Sequence, residues 1–286
     1  MNSKTGVLHV VATPIGNLGD LSSRARETLQ QADLVLAEDT RRTGVLMRHF
    51  NLGTPLSSFH DHNERQQVPE VLRRLSAGEN IALVSDAGTP LISDPGYTLV
   101  SAAREQGFTV SPVPGPCALV AALSASGLPV DRFVFEGFVP ARKGARQALL
   151  DRVAVEERTV VLYESSHRIL ETLEDMSSVL GPDRAVVIGR EISKRFETFY
   201  RGDAVDVLEQ LRAGTEHQYG EFVVMVEGAP AQDADEVMLR KLLQLLLDEL
   251  PVKTASRIAA AWSGAGRNRV YALALDLGKN NDTNSE

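Results

Sequence analysis

Short apolar runs alternate with amphipathic stretches through the first 116 residues, and this alternation constrains the fold more than any other feature. The runs are four to seven residues long and lie at residues 6–12, 34–37, 56–59, 81–84 and 108–113. Helical patterns separate them, most clearly at residues 68–75 and 98–106. Strands that alternate with helices form right-handed βαβ units. The pattern therefore predicts an α/β lobe with a mostly parallel sheet.

Polar residues follow three of these runs directly. Glu38-Asp39 follows the second run, His-Asp-His-Asn at 60–63 follows the third, and Ser-Asp-Ala-Gly at 85–88 follows the fourth. In open parallel sheets, ligands bind at the carboxyl ends of the strands. We therefore expect the functional site at this edge of the sheet.

The remaining sequence predicts a second α/β lobe and a small helical domain. Strand candidates of the second lobe lie at residues 133–138, 159–163, 184–189 and 221–227. A Gly-Ala-Pro segment at 228–230 and a polar run indicate a linker. Three short helical patterns follow, and Gly264 and Gly266 separate the last two, as in a helix-turn-helix. The predicted domains are residues 1–116, 117–230 and 237–279.

Charge limits the ways in which this chain can contact nucleic acid. The 286 residues carry a net charge of −8 with a pI of about 5.4, so the surface as a whole repels polyanions. Residues 251–279 differ, because they hold five Lys or Arg residues against one Asp. Any contact with nucleic acid must use such local patches. A helical pack without a ligand explains this segment equally well.

The sequence also predicts a cytoplasmic protein outside the membrane. Cys117 is the single cysteine and cannot form an intramolecular disulfide. The first 11 residues lack the pattern of a secretory signal. The longest apolar stretch, residues 118–130, is broken by Gly127 and Pro129 and falls short of the ~20 residues that span a bilayer.

Two small-residue loops carry the strongest indication of a ligand. Residues 85–90 form a loop of small side chains with a carboxylate, and this loop runs on into Asp-Pro-Gly at 94–96. Residues 114–118 form a turn that two prolines make rigid. Small side chains let backbone groups approach a ligand, although a tight turn with an Asp cap explains the first loop as well. Neither loop matches the P-loop or dinucleotide fingerprints.

Six segments in order resemble one known family over essentially the whole chain. This family is the bacterial small-subunit ribosomal RNA methyltransferase I, the RNA-modifying branch of the tetrapyrrole methylase superfamily. The segments lie at residues 13–18, 37–41, 85–90, 112–116, 163–168 and 220–221.

The resemblance implies both fold and function. It implies a two-lobed tetrapyrrole-methylase-like α/β fold with a mostly parallel first sheet, a mixed second sheet and a helix-turn-helix-like C-terminal domain. It further implies a cytoplasmic homodimer that uses no metal. Such an enzyme would transfer a methyl group from S-adenosylmethionine to the ribose 2′-hydroxyl of a decoding-centre cytidine in 16S rRNA, within the small ribosomal subunit.

Cofactor-binding residues follow from the same resemblance. The superfamily's Gly-Gly-Asp-Pro loop falls on residues 87–90, where Thr89 replaces the usual Asp, and Asp86 is a candidate for that polar role. Cys117 stands where the family usually has Thr. The expected cofactor contacts are Ile15, Asp86, Ala87, Gly88, Thr89, Ile92, Cys117, Ala118, Tyr163, Glu164 and Ile192.

Methyl transfer to a hydroxyl requires alignment of the hydroxyl and a base for its proton. Candidate bases at strand ends are Glu164, Asp39 and His60, with His62 as a further imidazole. Each has a structural alternative: Asp39 caps a helix, His62 holds its loop, or Glu164 only binds cofactor.

A basic rim beside the cleft is the expected site for RNA phosphates. Its predicted members are Arg41, Arg42, Arg142, Lys143, Arg146, His167 and Arg168. An ordinary solvated loop and helix start is the alternative interpretation of the segment at 142–146.

Two rival functions remain open at this point. A tetrapyrrole C-methylase would share the lobes but would need an apolar cleft of macrocycle size, whereas the polar clusters predict a charged one. A ribosome-binding module would keep the cofactor fold without turnover.

Overall fold

The computed structural model describes residues 5–230, 234–247 and 249–282. Contacts divide the chain into two units, Met1–Gly228 and Ala229–Glu286. The first unit contains both predicted α/β lobes, and the second contains the C-terminal helices.

The first lobe is a five-stranded sheet with helices in the crossovers. Its strands are β1 (Val7–Val11), β2 (Leu34–Ala37), β3 (Leu56–Ser58), β4 (Ile81–Val84) and β5 (Thr109–Val113). Its helices are α1 (Ser23–Gln31), α2 (Thr40–His49), α3 (Glu64–Ser76) and α4 (Tyr97–Glu105), with a short 3₁₀ turn at Leu18–Asp20. The strand order is β3-β2-β4-β1-β5 and every pair is parallel, which confirms the predicted sheet.

Burial explains why the first-lobe strands read as continuous apolar runs. All four residues of β2 and of β4 are buried, since helices cover both faces of a parallel sheet. Polar residues follow β2 and β4 directly, at Glu38-Asp39 and Ser85-Asp86. Asp39 is one example: its carboxylate accepts the Arg41 backbone N–H at 2.9 Å and caps α2.

The second lobe is a mixed sheet, as predicted. Its strands are β6 (Phe133–Phe138), β7 (Thr159–Ser165), β8 (Val186–Arg190), β9 (Thr198–Gly202) and β10 (Glu221–Val226), in the order β6-β7-β10-β8-β9. Only β6 and β7 are parallel to each other. Its helices are α5 (Ala118–Ser126), α6 (Lys143–Val155), α7 (Ile169–Val179) and α8 (Ala204–Arg212).

The sequence analysis missed strand β9. Its sequence, Thr-Phe-Tyr-Arg-Gly, is a five-residue edge strand with one buried residue, Tyr200, so it lacks an apolar run. Pairing with β8 rather than local pattern makes it a strand.

A bulge in β6 changes the direction of one aromatic side chain. The pairing with β7 runs Phe135 to Val161 and then Gly137 to Leu162, so Glu136 is an extra residue. Gly137 has φ +72°, which favours glycine. Residues three apart on a regular strand face opposite sides, but the bulge places the Phe135 and Phe138 rings together against Tyr163.

The C-terminal unit is a pack of three helices, α9 (Ala234–Leu247), α10 (Val252–Ser263) and α11 (Arg267–Asp282). It has its own core, made of Leu239, Leu243, Ala259, Ala260, Val270 and Ala274. This confirms the predicted helical domain. Among the helices that the structure describes, none is long and apolar enough to cross a membrane.

Candidate functional site

A cleft of about 590 Å³ opens at the carboxyl ends of the first-lobe strands, where the second lobe closes it. The first lobe contributes the residues that follow β1, β2 and β4. The second lobe contributes the ends of β6, β7 and β8 and the start of β10. This volume lies within the range of small-molecule and cofactor sites.

The loop after β4 exposes backbone atoms to the cleft at Gly88, which has no side chain. Gly88 exchanges two backbone hydrogen bonds with Thr13, at 2.8 and 3.0 Å, which join the loops after β4 and β1. Gly88 has φ +85°, and a Cβ there would lie 3.3 Å from Ile15 Cγ2. A side chain at this position would therefore be strained and would crowd the cleft.

Thr89 ties this loop to the start of the second lobe. Its hydroxyl donates to the Pro116 carbonyl at 2.9 Å. The residue that replaces the superfamily's Asp thus contributes to holding the two small-residue loops together.

Two loops from different lobes present an isoleucine to the cleft in the same way. Ile92 lies between Leu91 and Ser93, whose φ angles are +73° and +69°. Residues 191 and 193, with φ +51° and +67°, flank Ile192 in the same manner. Left-handed conformations at residues other than glycine cost of order 1–3 kcal/mol each and concentrate at functional sites.

Three of the cleft's five carboxylates have firm partners. Asp86 accepts the Asp39 backbone N–H at 2.9 Å and pairs with Arg42 at 3.3 Å. Glu221 pairs with Lys194 at 3.0 Å. The third, Glu164, has the most partners.

The Glu164 carboxylate is fully enclosed. One oxygen accepts from the Ser165 backbone N–H at 2.6 Å and from Arg168 at 2.7 Å, and the other accepts from the Thr172 hydroxyl at 2.8 Å. Its side chain is 0% exposed. Glu164 lines the cleft, but both of its carboxylate oxygens already accept hydrogen bonds, which disfavours the predicted role as base.

Glu38 and Asp94, the other two carboxylates, have raised pKa values. Burial raises the pKa of Glu38, and the charge of Asp86 adds to the effect. Burial raises the pKa of Asp94 to about 7, and the charges of Glu38, Asp86 and Asp61 act in the same direction, against a hydrogen bond from Ser85. Perturbed pKa values of this kind cluster at functional sites.

Aromatic residues of the second lobe cover one side of the cleft. The Tyr163 hydroxyl accepts the Leu119 backbone N–H at 3.2 Å, at the start of α5. Burial raises the pKa of Tyr163 to about 12, so the phenol stays neutral. The exposed Phe138 ring packs edge-on against Tyr163, with ring centres 5.4 Å apart.

The structure brings every predicted cofactor residue to this one cleft. All eleven positions line it: Ile15, Asp86, Ala87, Gly88, Thr89, Ile92, Cys117, Ala118, Tyr163, Glu164 and Ile192.

The other two predicted bases do not line the cleft. Asp39 caps α2, and its paired hydrogen bonds from the Arg41 guanidinium hold the pKa of the carboxyl well below its usual range. His60 donates its backbone N–H to the Asn63 side chain at 2.8 Å, and its ring packs edge-on against His62. Both residues hold loops at the strand ends, which agrees with the structural alternative to a role in proton transfer.

The predicted basic rim separates into exposed and buried members. The side chains of Arg41 and Arg42 are 89% and 72% exposed, and Arg142, Lys143 and His167 are also exposed.

Two members of the predicted rim, Arg146 and Arg168, are held in ion pairs, and the buried Arg146 is a correction. Arg146 is 0% exposed and pairs with Asp175 at 2.6 Å and with Glu171, so it packs α6 against α7 and cannot contact phosphate. Arg168 is committed to Glu164. Arg142 precedes α6 as its N-cap and is exposed, whereas Arg146 lies within α6 on the buried face that it shares with Leu149, Leu150 and Val153.

The cleft lining includes residues that the sequence analysis did not assign to the site, among them Glu38, Asp94 and Phe138. Glu38 and Asp94 follow β2 and β4 and so had a usable signal in their positions at strand ends. Phe138 had none, because its direction depends on the bulge at Gly137.

Two family models match the chain. The model described as Tetrapyrrole (Corrin/Porphyrin) Methylases matches residues 7–208, and the RsmI C-terminal HTH domain matches residues 231–278. The first match runs from β1 into α8 and includes the whole cleft except the start of β10.

Solved structures share the fold at low identity. Uroporphyrin-III-C-methyltransferase from Thermus thermophilus aligns with a TM-score of 0.54 and 20% identity, over 78% of this chain and 94% of that one. A cobalt precorrin-4 methyltransferase aligns with a TM-score of 0.58 and 18% identity, over 77% and 94%.

Curated relatives match along nearly the full length. The ribosomal RNA small subunit methyltransferase I of Escherichia coli O157:H7 is 48% identical over 276 residues, which cover 96% of each chain. The protein of that name from Haemophilus influenzae is 48% identical over 278 residues, covering 96% of this chain and 98% of its own. This chain therefore belongs to the ribosomal RNA small subunit methyltransferase I family.

Proposed function

We propose that this protein binds S-adenosylmethionine in the cleft and methylates the ribose 2′-hydroxyl of a decoding-centre cytidine in 16S rRNA. One observation carries the proposal: all eleven cofactor positions inferred from the sequence line a single cleft. The names of the full-length relatives support an rRNA substrate. The proposed enzyme acts in the cytoplasm, as a homodimer, on the small ribosomal subunit.

The cleft suits the charge and shape of this cofactor. Its carboxylates Glu38, Asp86 and Asp94 favour a cationic ligand, and its apolar side chains, including Ile92 and Ile192, suit an adenosine face. The backbone at Gly88 allows a close approach. The carboxylates, the apolar side chains and the accessible backbone at Gly88 thus fit S-adenosylmethionine.

The cofactor, when bound, supplies an electrophilic methyl group. The chain's own tasks are then to align the hydroxyl, exclude water and accept a proton, because an in-line displacement at a methyl carbon depends on orientation. Loops from both lobes line the cleft, and two of them present Ile92 and Ile192 to it.

Exposed cations, of which Arg42 and His167 line the cleft, supply the contacts proposed for RNA. Arg41, Arg42, Arg142, Lys143 and His167 remain members of the proposed rim. Arg42 also contacts Asp86, so it links the rim to the cleft wall. Phosphate contacts position a nucleic acid but carry little sequence information, so the cytidine must be selected by the cleft itself.

The C-terminal helices supply a second basic surface. Lys253, Arg257 and Arg267 are exposed. Asp276 and Lys279 belong to the same predicted basic segment, but their side chains are not among those that the structure describes. We propose that this unit contacts rRNA, in keeping with its helix-turn-helix match.

Methyl transfer from radiolabelled S-adenosylmethionine tests the proposal. The substrates are unmethylated 30S subunits, naked 16S rRNA and a tetrapyrrole, each followed by nucleoside or pigment analysis. We expect label in 2′-O-methylcytidine from 30S subunits. Label in the tetrapyrrole would support a C-methylase instead, and cofactor binding without transfer to any substrate would support a module without turnover.

A further inference from the structure

The cleft's carboxylates differ in how strongly they are held. Asp86, Glu164 and Glu221 each have a cationic partner, Arg42, Arg168 and Lys194 respectively. Among the residues that the structure describes, Glu38 and Asp94 have no ion pair within 4.0 Å. A carboxylate without a cation is the kind that accepts a proton readily, because nothing stabilises its charge.

Local contacts separate these two carboxylates further. Glu38 accepts a hydrogen bond from the Asp86 backbone, and Arg42 adds a favourable charge nearby. The Ser85 hydroxyl is a polar neighbour of Asp94 that acts to lower its pKa, and it also lies 3.3 Å from the Ala87 carbonyl. Ser85 is 3% exposed and directly follows β4.

The position of Asp94 along the chain brings it to the cleft. It follows Ser93, whose left-handed conformation belongs to the loop that presents Ile92 to the cleft. It lies close enough to Tyr163 on β7 for its charge to act on the phenol. Asp94 therefore lines the cleft, as Tyr163 of the second lobe does.

We propose that Asp94 is the general base of the methyl transfer, an assignment that rests on the proposed function. The 2′-hydroxyl oxygen forms a bond to the methyl carbon, and the carbon–sulfur bond breaks with its electron pair left on sulfur. The hydroxyl proton moves to an Asp94 carboxylate oxygen and later passes to solvent. The positive charge of the sulfonium and the negative charge of Asp94 are both lost, so charge balances.

The electrostatic surroundings of Asp94 agree with this role. The charges of three carboxylates that follow three strands raise the pKa of Asp94: Glu38 after β2, Asp61 after β3 and Asp86 after β4. Tyr163 faces it from β7 and is neutral. These groups and burial together hold the pKa of Asp94 at about 7, where a base is both deprotonated and strong enough to work at neutral pH.

Single-turnover methylation of saturating 30S subunits between pH 5.5 and 8.5 tests the assignment. We expect Asp94→Asn to lower the rate by about 10²–10⁴-fold and to abolish its pH dependence. The dissociation constant of S-adenosylmethionine, measured by calorimetry, should stay within about threefold. Asp94→Glu, which keeps the carboxylate, should recover part of the rate.

Asp61→Asn is the matched control. Asp61 is exposed and does not line the cleft, but its charge raises the pKa of Asp94. The control should keep the maximal rate and move the midpoint of the pH profile to lower pH. A purely structural role for Asp94 would not produce that shift.

Three results would overturn the assignment. They are normal turnover in a folded Asp94→Asn variant, a weaker cofactor affinity with an unchanged maximal rate, and an Asp61→Asn profile without a shift. Absence of transfer by the unmodified enzyme to any RNA would instead contradict the proposed function.

Discussion

The two lobes use charged residues in opposite ways. The first lobe places carboxylates at strand ends where they face the cleft, and Glu38 and Asp94 remain without a cation there. The second lobe encloses its charges in ion pairs, as with Glu164 and Arg146. The difference teaches that residue type alone does not identify chemistry: a charged residue at a strand end is reactive only where the fold leaves it unpaired.

Loss of a buried second-lobe charge should have the largest effect on stability. Arg146→Ala removes the partner of Asp175 and Glu171 and leaves a cavity between α6 and α7. We expect a loss of roughly 2–4 kcal/mol in the free energy of unfolding, somewhat below the full cost of breaking a buried pair because Glu171 is 55% exposed. Urea denaturation measures it.

Arg152→Ala is the control on the same helix. Its side chain is 65% exposed and lies 3.5 Å from Glu136, so the loss should stay below about 0.5 kcal/mol. Equal losses for the two variants would mean that the second lobe does not depend on its enclosed charges.

Obstruction of the first-lobe backbone should abolish cofactor binding. Gly88→Val adds a side chain at φ +85° in the cleft wall. We expect at least a 100-fold weaker dissociation constant for S-adenosylmethionine by calorimetry, together with a backbone cost of ~1–2 kcal/mol in stability.

Gly107→Val separates the two costs. Gly107 has φ +79° and open space around it, so this variant carries the strain without touching the cleft. It should lose similar stability and bind the cofactor normally. Normal binding by a folded Gly88→Val would remove this loop from the cofactor site.

Neutralisation of the C-terminal basic surface should weaken RNA binding moderately. The double variant Arg257→Gln, Arg267→Gln should bind 30S subunits less tightly. The slope of the logarithm of the binding constant against the logarithm of the salt concentration should become shallower by roughly 0.7–0.9 per lost phosphate contact. Cofactor affinity should not change. Binding at several salt concentrations measures this slope.

The control uses two cations near the amino ends of the first-lobe strands, away from the cleft. Arg73 and Arg104 lie in the last turns of α3 and α4, which lead back to the starts of the next strands. Replacement of both by Gln should leave the salt slope intact. An equal slope change in both double variants would indicate a general charge effect rather than a binding surface.

The smallest expected effect is a gain in stability. The pKa of Asp94 is raised from 3.8 to about 7, so folding favours its protonated form. Its favourable contribution is complete below about pH 4 and is lost as the pH rises through about 7. Asp94→Asn should therefore be more stable than the unmodified chain at pH 8 by roughly 1–2 kcal/mol, after allowance for partial exposure, and equal to it at pH 4.

Thermal melts measure this difference as a rise of about 2–4 °C at pH 8. A lower Tm for Asp94→Asn at that pH would show that Asp94 holds the loop together rather than serving the reaction.

Sequence reasoning located the first lobe's contribution well, for a physical reason. Carboxyl ends of parallel strands all meet at one edge, so the polar residues after β2 and β4 had to converge near Gly88. The fold class followed from the same alternation.

The second lobe was less predictable because its strands run in both directions. Its cleft edge combines the end of β7 with the start of β10, and no single pattern marks both. The direction of Phe138 depends on a bulge, and the burial of Arg146 depends on the packing of α6 against α7. The residues carried from the family resemblance located this wall. The sequence did not indicate that Arg146 is buried or that Glu164 and Arg168 form an ion pair.

The most direct test compares the two lobes in one reaction. Single-turnover methylation of unmethylated 30S subunits is measured for Asp94→Asn and Glu164→Gln at saturating cofactor, with nucleoside analysis of the product. We predict that Asp94→Asn loses at least 100-fold in rate, whereas folded Glu164→Gln keeps its maximal rate within about tenfold and yields 2′-O-methylcytidine. The reverse order, with Glu164→Gln inactive and Asp94→Asn active, would contradict the account.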